Sequence, residues 1–167
     1  MRILILAALL LALFAAGAIA AAIAIRVAPS DPTRWHADPT NVPGTGKSND
    51  FRTIPEGFDA PDEDMVSPVF IASATELAEA FDAMALAQPR TERVAGEPAD
   101  FWITYVQRSR VFQFPDYISV WVVDLGDGRS SLAVYSRARY GWSDFGVNAA
   151  RVRAWLDALP LPHARDP

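Results

Sequence analysis

YISVWVVDLGDGRSSLAVYSRAR, Tyr117 to Arg139, is the stretch on which the reading of this chain turns. Two runs rich in β-branched and aromatic residues flank Asp127-Gly128, a dipeptide suited to a tight hairpin turn because both positions tolerate positive φ. Two registers satisfy part of the pattern. A two-residue turn sets Asp116 directly opposite Arg139, where opposite charges across strands contribute about 0.2–1 kcal/mol. A three-residue loop, Gly126 to Gly128, instead pairs Ile118, Val120 and Val122 with Ser136, Val134 and Leu132. Turn chemistry favours the first and segregation of apolar residues favours the second. In either case strand alternation puts Tyr135, Arg137 and Arg139 on one face and Ser136 and Ala138 on the other.

Working outward, DFWITYVQRS (100–109) reads as a third strand and RTERVAGE (90–97) as a weaker fourth. Before them, SATELAEAFDAMALA (73–87) opens with Ser73 and Glu76 in capping-box spacing, and Leu77, Phe81 and Met84 recur at helical spacing until Pro89 stops the run. After the hairpin, VNAARVRAWLDAL (147–159) sets Ala149, Val152, Leu156 and Leu159 on one helical face, with Pro160 behind it. Helix, strands, helix in this order predicts an α+β domain, an antiparallel sheet of three to five strands with two helices packed on one face. There is no internal repeat.

The chain begins with 23 uncharged, almost wholly apolar residues, Ile3 to Ile25, between Arg2 and Arg26. At about 1.5 Å per residue the run reaches about 34 Å, enough for a hydrocarbon core of about 30 Å. It is longer than the apolar part of a cleaved signal peptide, about 7–15 residues. Residues 1–26 therefore read as an uncleaved transmembrane signal anchor. Charge alone leaves its orientation balanced, with Arg2 on one side and Arg26 and Arg34 on the other. Because such segments commonly serve export, the expectation is a single pass through the inner membrane with the C-terminal domain in the periplasm or outside.

Seven of the thirteen prolines fall between Val27 and Pro68. Residues 27–67 are accordingly expected to be a Pro-rich, acidic, extended tether, with Trp35 at the membrane interface and the folded domain spanning 68–160. Residues 161–167 read as a tail. The acidic run EGFDAPDED (56–64) lacks the ligand alternation of a calcium loop.

The hairpin and the corner after it resemble a known signature. FPD at Phe114, Pro115 and Asp116, followed by Arg139, Gly141, Ser143, Asp144, Gly146, Asn148 and Arg151, is similar to the pattern of domain of unknown function family 1499. The resemblance runs from about Val69 to Leu159. A serine expected directly before Arg139 is Ala138 here, and Ser136 stands two residues earlier. What the resemblance implies is an envelope- or lumen-facing domain, often membrane-attached, with no established family-wide activity.

The formal charge is −5, with 5 basic and 13 acidic residues from Val27 to Ala99 against 8 and 7 from Asp100 onward. That balance argues against a nucleic-acid partner. The absence of cysteine removes disulfides, thiolate metal sites and a thiol nucleophile. Both histidines, His36 and His163, fall in the tether and the tail, so no catalytic, metal or cofactor site is expected. The candidate binding residues are Arg108, Arg137, Arg139, Tyr140, Trp142 and Arg151, supported by Asp116, Gly141, Ser143, Asp144, Gly146 and Asn148. Arginines converging beside a helix N-terminus suit a carboxylate, sulfate or phosphate, and arginine with aromatics suits a protein partner in the envelope. The competing reading is structural or assembly-related: Asp116 holds Arg139, Asp144 or Asn148 caps the last helix, and Arg151 ties that helix to the loop. A carboxylate-dependent hydrolase built on Asp116 and Asp144 is the third reading.

Overall fold

A computed structural model describes residues 1–164 of the chain; the last three positions of the expected tail, 165–167, lie outside the described residues. Helix α1 (Arg2–Arg26) contains the whole apolar run and is long and apolar enough to cross a membrane. A single helical turn, α2 (Pro32–Trp35), follows, with Pro32 at its first position and Asp31 Oδ1 accepting from the Thr33 amide. The remaining elements are β1 (Asp50–Ile54), β2 (Met65–Val66), α3 (Ala74–Ala87), β3 (Thr91–Ala95), a 3-10 turn at Pro98–Asp100, β4 (Trp102–Arg108), β5 (Pro115–Gly126), β6 (Arg129–Ala138) and α4 (Val147–Asp157).

The class is α+β, and the strands form one six-stranded mixed sheet in the order β2-β1-β6-β5-β4-β3. β1 and β2 run parallel, and the other neighbours are antiparallel. The strand count exceeds the expected three to five because β1 and β2 come from the stretch expected to be a tether. β1 pairs with β6 from Asp50↔Arg137 to Thr53↔Val134, so the hairpin is interior to the sheet rather than at its edge.

The hairpin satisfies both of its competing demands. Asp127 (φ 53°) and Gly128 (φ 68°) form the two-residue turn, closed by the Gly126↔Arg129 pair. A bulge between Asp124 and Gly126 then absorbs one residue, and beyond it the strands run in the apolar register, Val122↔Leu132, Val120↔Val134 and Ile118↔Ser136. In this register Asp116 lies opposite Ala138, not Arg139.

One face of the sheet carries both helices. Ile103, Tyr105, Ile118, Val120, Leu132 and Val134 meet Leu77, Phe81 and Met84 of α3 and Val152, Trp155 and Leu156 of α4 in one buried cluster. Ser73 and Glu76 form the expected capping box at the start of α3.

The opposite face is not open. Residues 28–45 run across it as a continuous cover, which corrects the expectation of an extended tether. The Trp35 ring stacks on Tyr117 with centroids 3.8 Å apart and planes 6° from parallel. Its carbonyl accepts from Arg137 Nη2 at 2.8 Å and from Ser119 Oγ at 3.3 Å. His36 stacks on Trp102 and its Nδ1 lies 3.0 Å from Thr104 Oγ1. Further along, Ala37 accepts from Trp102 Nε1 and Val42 from Arg52 Nη2. Trp35 is thus buried in the domain rather than placed at the membrane interface. The physical reason is that β4, β5 and β6 carry apolar and aromatic side chains on both faces, and a sheet buried on both sides needs two covers.

Trp35→Ala in a fragment beginning at Val27 is expected to lower unfolding stability by about 3–5 kcal/mol, the usual cost of deleting a buried tryptophan. Denaturant titration checks it, and a loss near zero would mean the segment is only loosely laid on the sheet.

Candidate functional site

Strand β6 ends at Ala138, and the chain turns through residues 139–146 into α4. Alternation at the strand end separates the candidate arginines. Arg137 and Arg139 point to the covered face, whereas Arg151, one turn into α4, reaches the helix face.

On the helix face Arg151 is the centre of a buried network. Its Nη2 donates to Asp116 Oδ2 at 2.6 Å, with side chains only 7% and 13% exposed. Its Nε donates to Gln107 Oε1 at 2.7 Å, and Nη1 donates to Ser136 Oγ and Asn148 Oδ1. Asn148 is fully buried and receives a bond from Ser136 Oγ at 2.6 Å. It donates through Nδ2 to the Asn49 carbonyl and to Asp144 Oδ2. Asp144 caps the helix, accepting from the Asn148 amide at 2.7 Å and the Gly146 amide at 3.0 Å. Gly141 (φ 92°) and Gly146 (φ 81°) supply the left-handed bends that allow the turn. Ser143 Oγ accepts from the Phe145 amide. The Asp116 carboxyl is held above the ordinary aspartate range, because burial outweighs the opposing pull of Arg151.

The expected Asp116–Arg139 pair is therefore absent, and Arg151 takes that carboxylate. Ser136 lies on the same face as Ala138, two residues earlier, and supplies the hydroxyl that Asn148 and Arg151 use.

On the other face the arginines hold backbone instead of carboxylates. Arg137 bonds the Trp35 carbonyl and Ser119 Oγ, and burial lowers its guanidinium to about 10. Arg139 Nη1 donates to the Pro29 carbonyl at 2.9 Å and lies over the rings of Trp35 and Tyr140. Arg108 Nη2 reaches the Ala28 carbonyl at 3.4 Å and its Nη1 the Gln113 carbonyl. Arg108, Arg137 and Arg139 thus gather around the segment that follows α1, with Arg151 on the far side of the sheet. The four do not converge on one pocket.

What the corner leaves to solvent is aromatic. Trp142 is 71% exposed and Phe145 95% exposed, with Tyr140 and Val147 also at the surface. A cavity of about 370 Å³ beside Trp142 is lined by Tyr135, Asp50, Asp64 and Lys47. Among the described residues no group of three or more histidine, aspartate or glutamate side chains is placed to hold a metal ion. His36, expected in a tether, belongs to the folded part. Thr104 Oγ1 donates to Ser119 Oγ, so His36 Nδ1 is the donor to Thr104, and burial lowers the imidazole below its ordinary value. Its ring is committed to packing on Trp102.

Sequence reasoning missed Trp35, Gln107 and Asn49. For Trp35 a signal existed in the two-sided apolar character of β5, which demands a second cover. Gln107 and Asn49 carry no local signal, since each acts only by reaching a residue far along the chain.

These features define a small α+β domain joined without a spacer to an apolar helix, with the segment after that helix serving as one layer of the fold. The chain belongs to the DUF1499 family of proteins of unknown function, whose profile matches residues 26–159. The match starts at the end of α1 rather than near Val69, in keeping with Trp35 and β1 being integral to the domain. No curated protein matches the chain.

Arg151→Ala is expected to cost about 3–5 kcal/mol at neutral pH, because it leaves Asp116 buried without its partner. With the influences that lower its pKa removed, Asp116 sits further above its unfolded value. The part of the penalty that comes from Asp116 is fully present above that raised value and fades as pH falls toward the ordinary aspartate range, whereas the part from the lost bonds to Gln107, Ser136 and Asn148 stays. Arg139→Ala, losing hydrogen bonds to the Pro29 carbonyl and Tyr117 Oη but leaving no buried charge unpaired, is expected to cost less, about 1 kcal/mol. Denaturant unfolding of both variants between neutral and mildly acidic pH checks the ranking and the sign.

Proposed function

We propose that this protein is a single-pass, membrane-anchored, non-catalytic binding domain of the cell envelope. Its folded part faces away from the cytoplasm and engages a protein partner through Tyr140, Trp142, Phe145 and Val147. The exposure of these side chains on a corner whose backbone is pinned by Asp144 and Asn148 carries the reading. A rigid aromatic surface loses little side-chain entropy when it is covered, which is why aromatics serve as interface anchors. The commitment of Arg151 to Asp116, and of Arg137 and Arg139 to carbonyl oxygens, favours a protein partner over a small anion. It also disfavours hydrolysis, since Asp116 is held in an ion pair and Asp144 caps a helix.

A second reading draws on the same network: a structural or assembly factor in which the corner only stabilises the fold. The two differ in what Trp142 and Phe145 do. A photo-crosslinking amino acid at position 142 of the full chain, in native membranes, is expected to give a discrete protein adduct. That adduct is expected to be lost in Phe145→Ser, while stability changes by no more than about 0.5 kcal/mol, as for a surface substitution. No adduct at 142, or an adduct indifferent to Phe145, would favour the structural role.

A further inference from the structure

The cover on the sheet begins immediately after α1. Arg108 holds the carbonyl of Ala28 and Arg139 that of Pro29, the second and third residues beyond the helix end, and Ser30 Oγ lies 3.1 Å from Tyr117 Oη. The end of the sheet where β4 finishes, β5 starts and β6 finishes is thereby fixed against the exit point of the helix. The loop between β4 and β5, residues 109–114, lies at this end. Its Val111 and Phe112 are 73% and 62% exposed. They share a cleft of about 180 Å³ with Ile19, Ala22, Ile23 and Arg26 of α1. Ile19 stands seven residues before Arg26, about 10 Å down the helix axis.

We propose that the 109–114 loop is a membrane-inserted tip: Val111 and Phe112 enter the acyl region of the bilayer crossed by α1, seating the domain directly on the membrane surface. This rests on α1 spanning the membrane, as in the function proposed above, but not on the aromatic corner having a protein partner. If Arg26 marks the headgroup level, side chains level with Ile19 and Ile23 lie inside the apolar layer. Only apolar groups are stable at that depth, and the two residues at the tip are apolar.

The base of the loop has its polar groups paired, which matters beside a dry environment where unpaired ones are costly. The Ser109 amide donates to the Phe114 carbonyl, and the Phe114 amide donates to Ser109 Oγ. Gln113 Nε2 donates to the carbonyls of Ser109 and Arg110, and Arg108 Nη1 to that of Gln113. Phe114 continues the apolar surface from Phe112, 5.6 Å between ring centroids, to Tyr140 at 6.2 Å. Arg110, exposed beside the tip, and Arg26 are placed to meet lipid phosphates while their stems cover apolar surface.

The chain has no cysteine, so single-cysteine probes need no background removal. The full chain is reconstituted in phosphatidylcholine/phosphatidylglycerol vesicles with an environment-sensitive fluorophore on Val111→Cys, on Leu13→Cys within the helix, or on Asp127→Cys at the far hairpin turn. The expected result is blue-shifted emission from the probes at 111 and 13, with loss of intensity when lipids carry a quencher in the acyl region, and neither change at 127. Quenching at 13 with a water-like spectrum at 111 would overturn the insertion and leave the anchor intact. Water-like spectra at both would overturn the anchor and the insertion together. Phe112→Ser is expected to move the probe at 111 toward water without shifting the probe at 13, and an unchanged spectrum at 111 would count against the tip.

Discussion

The seating of Trp35 on the sheet is the constraint from which the rest of this structure follows. Its ring lies flat on Tyr117 and its carbonyl is held by Arg137, so a proline-rich segment without a repeating pattern is fixed at one point on the central strands β5 and β6. Once that point is set, the residues on either side are aligned. Toward the N-terminus they run to Ala28 and the end of α1, and toward the C-terminus they run to Val42 and the start of β1. The same contact turns a sheet with one helix-covered face into a three-layered domain. It also removes any spacer between the domain and the apolar helix.

Arginine serves two different purposes in this arrangement. Arg151 is paired with a carboxylate on the helix face, where Asp116 would otherwise be an isolated buried charge. Arg137, on the opposite face, is buried with carbonyl, hydroxyl and aromatic partners and no carboxylate at ion-pair distance among the described residues. The planar guanidinium suits this role because it stacks on rings while its edge donates to oxygen, and it stays charged even when burial lowers its pKa. Both arrangements consume the positive charge of the corner. The groups left facing outward there are rings, which directs the functional reading toward apolar contact with a protein or a membrane rather than toward anion capture.

Much of the fold was legible locally. The capping box at Ser73 and Glu76, the apolar stripe Leu77, Phe81 and Met84, and the turn at Asp127-Gly128 each depend on neighbours within a few residues, and each appears as read. The hairpin register was not legible, because two local rules disagreed and the bulge that reconciles them uses only one residue, with no signature of its own. At the corner, the motif residues Asp116, Asp144, Asn148 and Arg151 were found by pattern and the Asp144 cap was among the readings, but the partner of Asp116 was not. A one-residue change in register moves Arg139 to the other face of the sheet and leaves Asp116 to Arg151.

By itself, then, the sequence determined the local elements, the apolar helix at the N-terminus and the family, since these are written in periodicity, capping residues and a contiguous motif. Tertiary structure alone decided that residues 28–45 are a layer of the domain, that the candidate arginines divide between two faces, and that Val111 and Phe112 stand beside the apolar N-terminal helix. Each of these depends on contacts between residues many positions apart. Their free energy comes from covering a second apolar face and from neutralising buried polar groups, and neither requirement leaves a pattern in the segment that meets it.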